Sequence, residues 1–425
     1  MKNRFRVTGL ECKKLLRAPV LWILLLVFLA ANVSMILFST RDRDDMAQFC
    51  ALAEEAGVVL DEKAAAKIEE ICAEKTHAAA RLYRERTKDD SLSDEEAAGA
   101  LERLQYEGAL TEEERAAVDQ WELFSRFQEA IRTAQNPPMG SLAQYADEVA
   151  QRYELDGALL DLCRRQLESL APRAEEIKES GESRTLAYPE WMYFSHQKLY
   201  GEMFRTLIAE GMFILLLLTI LSVHYESINR TAAVAYSTRR GRGLLMNKFF
   251  ASLSVGMGAA ALLFSATLWL FFSVYPYGPL WNSPVCSAMG PGGDNFAAVT
   301  WRPMTTGQYF WQSLLCGVLL LVVVFLLAFL LAVFVKNSYV CAMGFLLLMG
   351  LCRLAQVNIP MNSFFHILIE TAPFSLLFHS GDWFIPTRTP LTAFQGFEWW
   401  SLVFAGLLFL AGAALAYARF RKRPL

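Results

Sequence analysis

Six long apolar runs are spread along the chain: Val20 to Phe38, Met203 to Val223, Phe249 to Val274, Tyr309 to Val335, Tyr339 to Val357 and Phe397 to Phe420. Each holds roughly 20 mainly apolar residues, about what a helix needs to cross ~30 Å of hydrocarbon. In lipid a helix satisfies its own backbone donors and acceptors within one segment, so the runs predict membrane-spanning helices rather than buried strands. Between the first two runs lies a polar block, Arg41 to Tyr200, with a different texture. It is rich in the strong helix formers Ala, Glu, Arg, Leu and Gln and poor in β-branched residues. Val118, Trp121, Phe124, Phe127 and Ile131 recur at three- and four-residue spacing and mark one helical stripe, read as core packing. Ser93 with Glu96 and Thr111 with Glu114 read as capping boxes. Asn136, Pro137, Pro138 and Gly140 break the run, and Pro172 and Gly181 end later helices. The block predicts five or six helices in an antiparallel bundle that folds by itself.

Charge orients the runs. Lys2, Arg4, Arg6, Lys13, Lys14 and Arg17 precede the first against one acid, Glu11, while Arg230, Arg239, Arg240, Arg242 and Lys248 separate the second and third against Glu226. Lys336 follows the fourth, and Arg419, Arg421, Lys422 and Arg423 follow the sixth. The alternate loops, Tyr275 to Gln308 and Asn358 to Gly396, hold only Arg302 and Arg388. The positive-inside rule then places both termini in the cytoplasm and the polar block outside a cell membrane. The predicted fold class is an all-α polytopic membrane protein, with six transmembrane helices and a helical extracytoplasmic domain between the first and second. The predicted layout is an interfacial helix at 1–18, spans at 19–40, 201–225, 249–274, 308–335, 338–358 and 397–420, and the outer domain at 41–200. A cytoplasmic loop follows at 226–248, outer loops at 275–307 and 359–396 (the second with short helices), and a cytoplasmic tail at 421–425.

The balance of charge sharpens this division. Arg41 to Tyr200 holds 20 Lys/Arg and 35 Asp/Glu, a net of −15, and the remainder holds 20 and 8, a net of +12, giving the chain's −3. An acidic outer block argues against nucleic acid as a partner, and the basic side suits an anionic inner leaflet or an acidic protein. The first run is too long for a cleaved signal peptide, and no small-residue cleavage pattern follows it.

Candidate chemistry is sparse. No Gly-Xaa-Ser-Xaa-Gly elbow, HExxH helix or GxxxxGK[ST] phosphate loop is present, so any ATP must be bound by a partner subunit, and no cofactor is expected in this chain. The eight cysteines include no CxxC pair, which argues against a thiolate metal site. Cys50 and Cys72 are either a disulfide across a helical hairpin turning near Gly57 or two small buried apolar residues. His366 and Glu370, four apart, fit an interfacial hydrogen bond or ion pair better than a metal site, which needs more ligands. Arg205 and Glu210 in the second run and Arg353 in the fifth are ionisable groups at membrane depth, read as an interfacial ion pair over pore residues. Gly256, Gly258, Gly406 and Gly412 are read as sites of close helix packing.

After the second run the chain continues His224, Tyr225, Glu226, then SINRTAAVAYSTRRGRGLLMNK up to Lys248. Here it resembles the permease subunits of ABC-2 type ABC transporters. That family shows a Glu just inside the membrane, a short helix, a Ser/Thr-rich turn ending in Arg, and a Lys opening the third span. Glu226 matches the first feature, and Arg230 and Thr231 stand near the family's Gly-Thr position. Ser237, Thr238, Arg239, Arg240, Gly241 and Arg242 match the turn, and Lys248 the last feature. Arg230 stands where a small residue is common and Arg239 where proline is common. The resemblance extends to the six-span layout, the Phe5 to Arg17 interfacial helix and the apolar Met361 to His379 segment. It does not cover the outer block.

The resemblance implies the permease of an ATP-driven exporter, with an ABC ATPase subunit inside and a second permease copy or paralogue in the bilayer. A short helix from Glu226 to Tyr236 would then present Ile228, Val234 and Tyr236 for docking, with arginines suited to bidentate pairing with carboxylates. The other reading of these arginines is a topology signal touching lipid phosphates. A non-transporting surface receptor or secretion-system component, a sensor and a membrane-embedded enzyme are the alternatives from other classes.

Overall fold

The computed structural model describes residues 2–38, 40–106, 108, 110–135, 142–182, 185, 196–237, 241–288, 291–292, 296–297, 299–386, 390–392 and 394–422. The breaker residues Asn136 to Gly140 and the side chains of Phe127 and Ile131 lie outside this description. Strand among the described residues is limited to a two-residue antiparallel pair, Pro291–Gly292 with Phe296–Ala297. The rest is helix and its connections.

Six helices are long and apolar enough to cross a membrane. They are α2 (Pro19–Leu37), the π-helical stretch Gln197–Phe204 running on into α10 (Arg205–Ile228), α12 (Leu244–Val274), α13 (Thr306–Phe334), α14 (Ser338–Asn358) and α17 (Phe397–Lys422). The chain is thus an all-α, membrane-embedded polytopic protein. Local chemistry starts several of these helices where they start. Pro19 occupies the first turn of α2, Thr305 and Gln308 form a capping box on α13, and Asn337 Oδ1 accepts from the amides of Tyr339 and Val340 at α14. Before the first span, α1 (Lys2–Leu16) forms the leading helix.

Helix α10 lies at the centre and buries residues on every face, among them Leu207, Ile208, Met212, Leu215 and Leu218. It packs against α12 and α13, while α2 leans on α12 and α17 on α13. Small residues set the spacing. A Cβ at Gly211 would come 2.9 Å from Leu321, and one at Gly256 would collide with Leu215. Gly406 and Gly412 face Val323 and Leu330 in the same way. Gly258 departs from the expectation: nothing lies within 4 Å of the place its Cβ would take.

The polar block holds seven helices among the described residues: α3 (Thr40–Ala56), α4 (Glu62–Thr87), α5 (Asp94–Tyr106), α6 (Glu112–Gln135), α7 (Leu142–Arg152), α8 (Gly157–Glu168) and α9 (Ala171–Ser180). Both capping boxes are formed: the Ser93 and Thr111 amides donate to Glu96 and Glu114 at 3.0 and 2.8 Å. Helices α4 to α6 close on Ala79, Ala98, Leu101, Leu110 and Val118, with Trp121 of the predicted stripe packed beside them. Helix α3 folds back on α4 at Gly57, whose φ of 88° suits glycine. Its Met46, Phe49 and Leu52 join the core that continues into the membrane helices.

The block is not one self-contained bundle, contrary to expectation. Ala146, Val149, Cys163, Leu167 and Ile177 of α7 to α9 share a separate core with Cys286, Val299 and Leu391 from later loops. Helices of 11, 12 and 10 residues have too little apolar face to close a core alone. Cys50 and Cys72 are free thiols, each buried and donating to a carbonyl oxygen, Pro276 at 3.2 Å and Phe124 at 3.3 Å. The disulfide alternative is therefore excluded, and burial pushes their thiols up to about 12 and about 11.

Candidate functional site

The α10–α12 connection carries most of the residues singled out by sequence. Helix α10 ends at Ile228, and the Thr231 amide donates to the Glu226 carbonyl oxygen at 2.8 Å, with Arg230 in the left-handed region at φ 57°. A separate six-residue helix follows, α11 (Ala232–Ser237). Thr238, Arg239 and Arg240 lie outside the described residues, and a 3-10 turn at Gly241–Gly243 leads into α12. The expected single helix from Glu226 to Tyr236 is thus broken at Arg230. Glu226 belongs to the membrane helix and not to the exposed segment.

That placement changes the role of the two end residues of the motif. Glu226 and Lys248 are both buried, 3% and 1% exposed, and form an ion pair joining the end of α10 to the start of α12. The Lys248 ammonium also donates to the Ser222 carbonyl oxygen. A buried charge pair of this kind holds only while both partners are present. Neighbouring contacts brace it. The Asn247 amide donates to Thr8 Oγ1 at 2.7 Å, and Lys14 pairs with buried Glu11 at 2.7 Å while lying 4.7 Å from the Tyr225 ring centre. His224 ties α10 to the α13–α14 turn. Its Nε2 donates to the Ala332 carbonyl oxygen at 2.8 Å, since that oxygen can only accept, and Nδ1 lies 2.9 Å from Ser338 Oγ.

Beyond this braced base the connection is open. Ile228 and Val234 are 59% and 71% exposed, and Arg230, Thr231 and Ser237 are exposed as well. Tyr236 turns back against Phe420 of α17, edge-on at 5.4 Å between ring centres. Burial first, then the charges of Glu226 and Glu11, push its hydroxyl up to about 12. Arg242 donates to the Arg421 carbonyl oxygen at 2.8 Å, so it links α17 to the connection. Gly241, at φ 49°, sits where a Cβ would come 3.1 Å from the Tyr236 carbonyl oxygen.

The intramembrane group separates. Arg205 and Glu210 form no ion pair with each other among the described residues, because five positions along a helix put them roughly 140° apart around it. Glu210 instead accepts from Asn32 Nδ2 of α2 at 2.9 Å, and the same amide reaches Thr267 Oγ1 of α12 at 3.2 Å. Arg353 donates to Gln356 Oε1 at 3.1 Å and lies 5.0 Å from the Phe378 ring centre. Gln356 in turn donates to Glu370 Oε1 at 3.1 Å.

Glu370, in a short helix α15 (Phe364–Glu370), is flanked by His366 at 3.5 Å and by His379, just beyond α16 (Pro373–Phe378), at 3.4 Å. Burial would raise the Glu370 carboxyl, but the hydrogen bond and charge of His379, with Gln356 and His366, hold it below its usual range. Burial likewise opposes the charge on His379, and Glu370 overcomes it and raises that histidine. No cluster of three or more His, Cys, Asp or Glu among the described residues is placed to hold a metal.

Asn32, Thr267, His224, Ser338 and Glu11 were not singled out from sequence. Asn32 carried a signal, as a polar residue within an apolar run; the pairing of the others depends on which helices meet. Set against known protein families, curated proteins and solved structures, the chain matches none.

Proposed function

We propose that this chain is the membrane permease subunit of an ATP-driven exporter of the ABC-2 type. It works with a separate ATPase subunit that binds the ATP, and with a second permease copy or paralogue across the bilayer. Residues 41–200 lie on the outer side, and both termini and the α10–α12 connection lie in the cytoplasm, in accord with the charge asymmetry. The observation that carries the reading is the contrast within that connection. Exposed α11, with Val234 and the nearby Ile228, stands on a base locked by the buried Glu226–Lys248 pair. A surface displaced by a motor must be exposed, and the helices it drives must be rigidly tied to it. Here the Thr231–Glu226 hydrogen bond and the ion pair tie α11 to two membrane helices at once.

The test is purification from native membranes in mild detergent. We expect an ATPase with a phosphate-binding loop to co-purify, and ATP turnover in the complex but not in the isolated chain. Val234→Asp should abolish recovery of that ATPase while the permease inserts normally, and Arg421→Gln should leave recovery intact. Equal recovery with wild type and Val234→Asp, or sustained ATP turnover by the purified chain alone, would exclude this role for α11.

A further inference from the structure

Three membrane helices bring polar side chains to one buried point. Glu210 of α10 is 6% exposed, and Asn32 of α2 and Thr267 of α12 are fully buried. Asn32 stands five residues before the end of α2 and Thr267 seven before the end of α12, about 7–10 Å inside the helix ends at a 1.5 Å rise per residue. Asn32 Nδ2 bridges the carboxylate and the hydroxyl, while Asn32 Oδ1 is buried without a hydrogen-bond partner.

No cationic side chain pairs with Glu210 among the described residues. Helix α2 carries no charged residue, and α12 carries only Lys248, engaged with Glu226 at the opposite end. Helix α13 offers only Tyr309 and Cys316 as titratable groups, and α14 only Tyr339, Cys341, Cys352 and Arg353, the last bound to Gln356. Arg205 lies on another face of α10 itself, and Lys198, in the π-helical stretch twelve residues before Glu210, lies 5.7 Å from the Tyr275 ring centre. The site therefore lacks two things: a counter-charge for one carboxylate and a donor or cation for one amide oxygen. Both are costly at membrane depth.

We propose that Glu210, Asn32 and Thr267 form a monovalent-cation site, filled by a proton or by Na+. A single carboxylate matches a single positive charge, and carboxylate, amide and hydroxyl oxygens are the hard donors that such ions take. Turning the Asn32 amide over places Oδ1 where Nδ2 now stands, within reach of the carboxyl and the Thr267 hydroxyl. One orientation of the amide then serves the bare carboxylate, and the other serves the carboxyl with its proton or ion. Because the three groups sit on three helices, filling and emptying the site alters how α2 sits against α10 and α12. This proposal does not depend on the transport reading.

Dicyclohexylcarbodiimide tests it on the intact purified chain. A protonated carboxyl in apolar surroundings adds its O–H across one C=N bond of the reagent, and the O-acylisourea rearranges to a stable N-acylurea, located by peptide mass spectrometry. Labelling at Glu210 that Na+ slows at constant pH, and choline does not, identifies a Na+ site. Labelling that falls as pH rises and ignores Na+ identifies a proton site. In either case Glu210→Gln should lose the label at this position, and Thr267→Val should weaken the Na+ protection or move the pH profile. Absence of label at Glu210 in the folded chain at every pH, or labelling indifferent to both pH and Na+, would overturn the proposal.

Discussion

Two buried glutamates sit on one helix, sixteen residues and about 24 Å apart, and meet opposite arrangements. Glu226 has an ammonium against it, supplied by Lys248 and further anchored by the Ser222 carbonyl oxygen. Glu210 has only a neutral amide, itself shared with a hydroxyl. The difference teaches what each position can do. A charge whose partner is built into the fold is locked in place, because removing either member strands the other in an apolar interior. A charge whose partner is left out can exchange it, and so can respond to its surroundings.

The comparison breaks most readily at the locked end. Lys248→Met should destabilise the protein by about 3–5 kcal/mol, because Glu226 would remain buried without its cation. Glu226→Leu combined with Lys248→Met should recover most of that loss, since an apolar pair replaces a charged one. Thermal unfolding in one detergent reads both, and a double variant no more stable than Lys248→Met would mean that a stranded Glu226 is not the source of the loss.

Glu370 offers a third case outside the membrane helices, paired with a histidine rather than a lysine. Glu370→Gln should cost about 2 kcal/mol, as Gln356 loses a charged acceptor and His379 its counter-charge. Its pH dependence has two limits. His379 is raised above 6.5, so its contribution is complete below 6.5 and disappears as pH climbs through the higher folded value. Glu370 is held below 4.5, so its contribution is complete above 4.5 and disappears as pH drops through the lower folded value. The stability difference between wild type and Glu370→Gln should therefore be largest between pH 4.5 and 6.5; a flat difference from pH 4 to 9 would rule out the ion pair as its source.

The smallest effect is expected at Glu210. Glu210→Gln keeps a hydrogen-bond acceptor for Asn32 and strands no cation, so unfolding should shift by no more than about 1 kcal/mol. A loss as large as that of Lys248→Met would show that Glu210 is a structural anchor like Glu226, and the contrast between them would collapse.

The helices were legible because their causes are local. A run such as Leu319 to Val335 is apolar on every side, and a Ser or Thr three residues before a Glu carries its own cap; neither signal needs knowledge of the rest of the chain. Within the candidate site, Glu226 and Lys248 stood out as separate motif positions, but not as partners. In the polar block, Val118 and Trp121 announced a core, and the breakers announced separate helices. The count of five or six fell short because α7, α8 and α9 are short and closely spaced.

By itself, then, the sequence determined which segments are helices, which six are apolar enough to enter a bilayer, and how charge is divided along the chain, since all three depend on residues near one another. Only the tertiary structure decided that Glu226 is spoken for and Glu210 is not, and that α7 to α9 complete their core with Cys286, Val299 and Leu391. Each of these joins residues distant in the chain, and side chains meet only once helix packing has set the rotation and depth of every helix. Local pattern says that a buried carboxylate needs a partner; packing alone says whether one arrives.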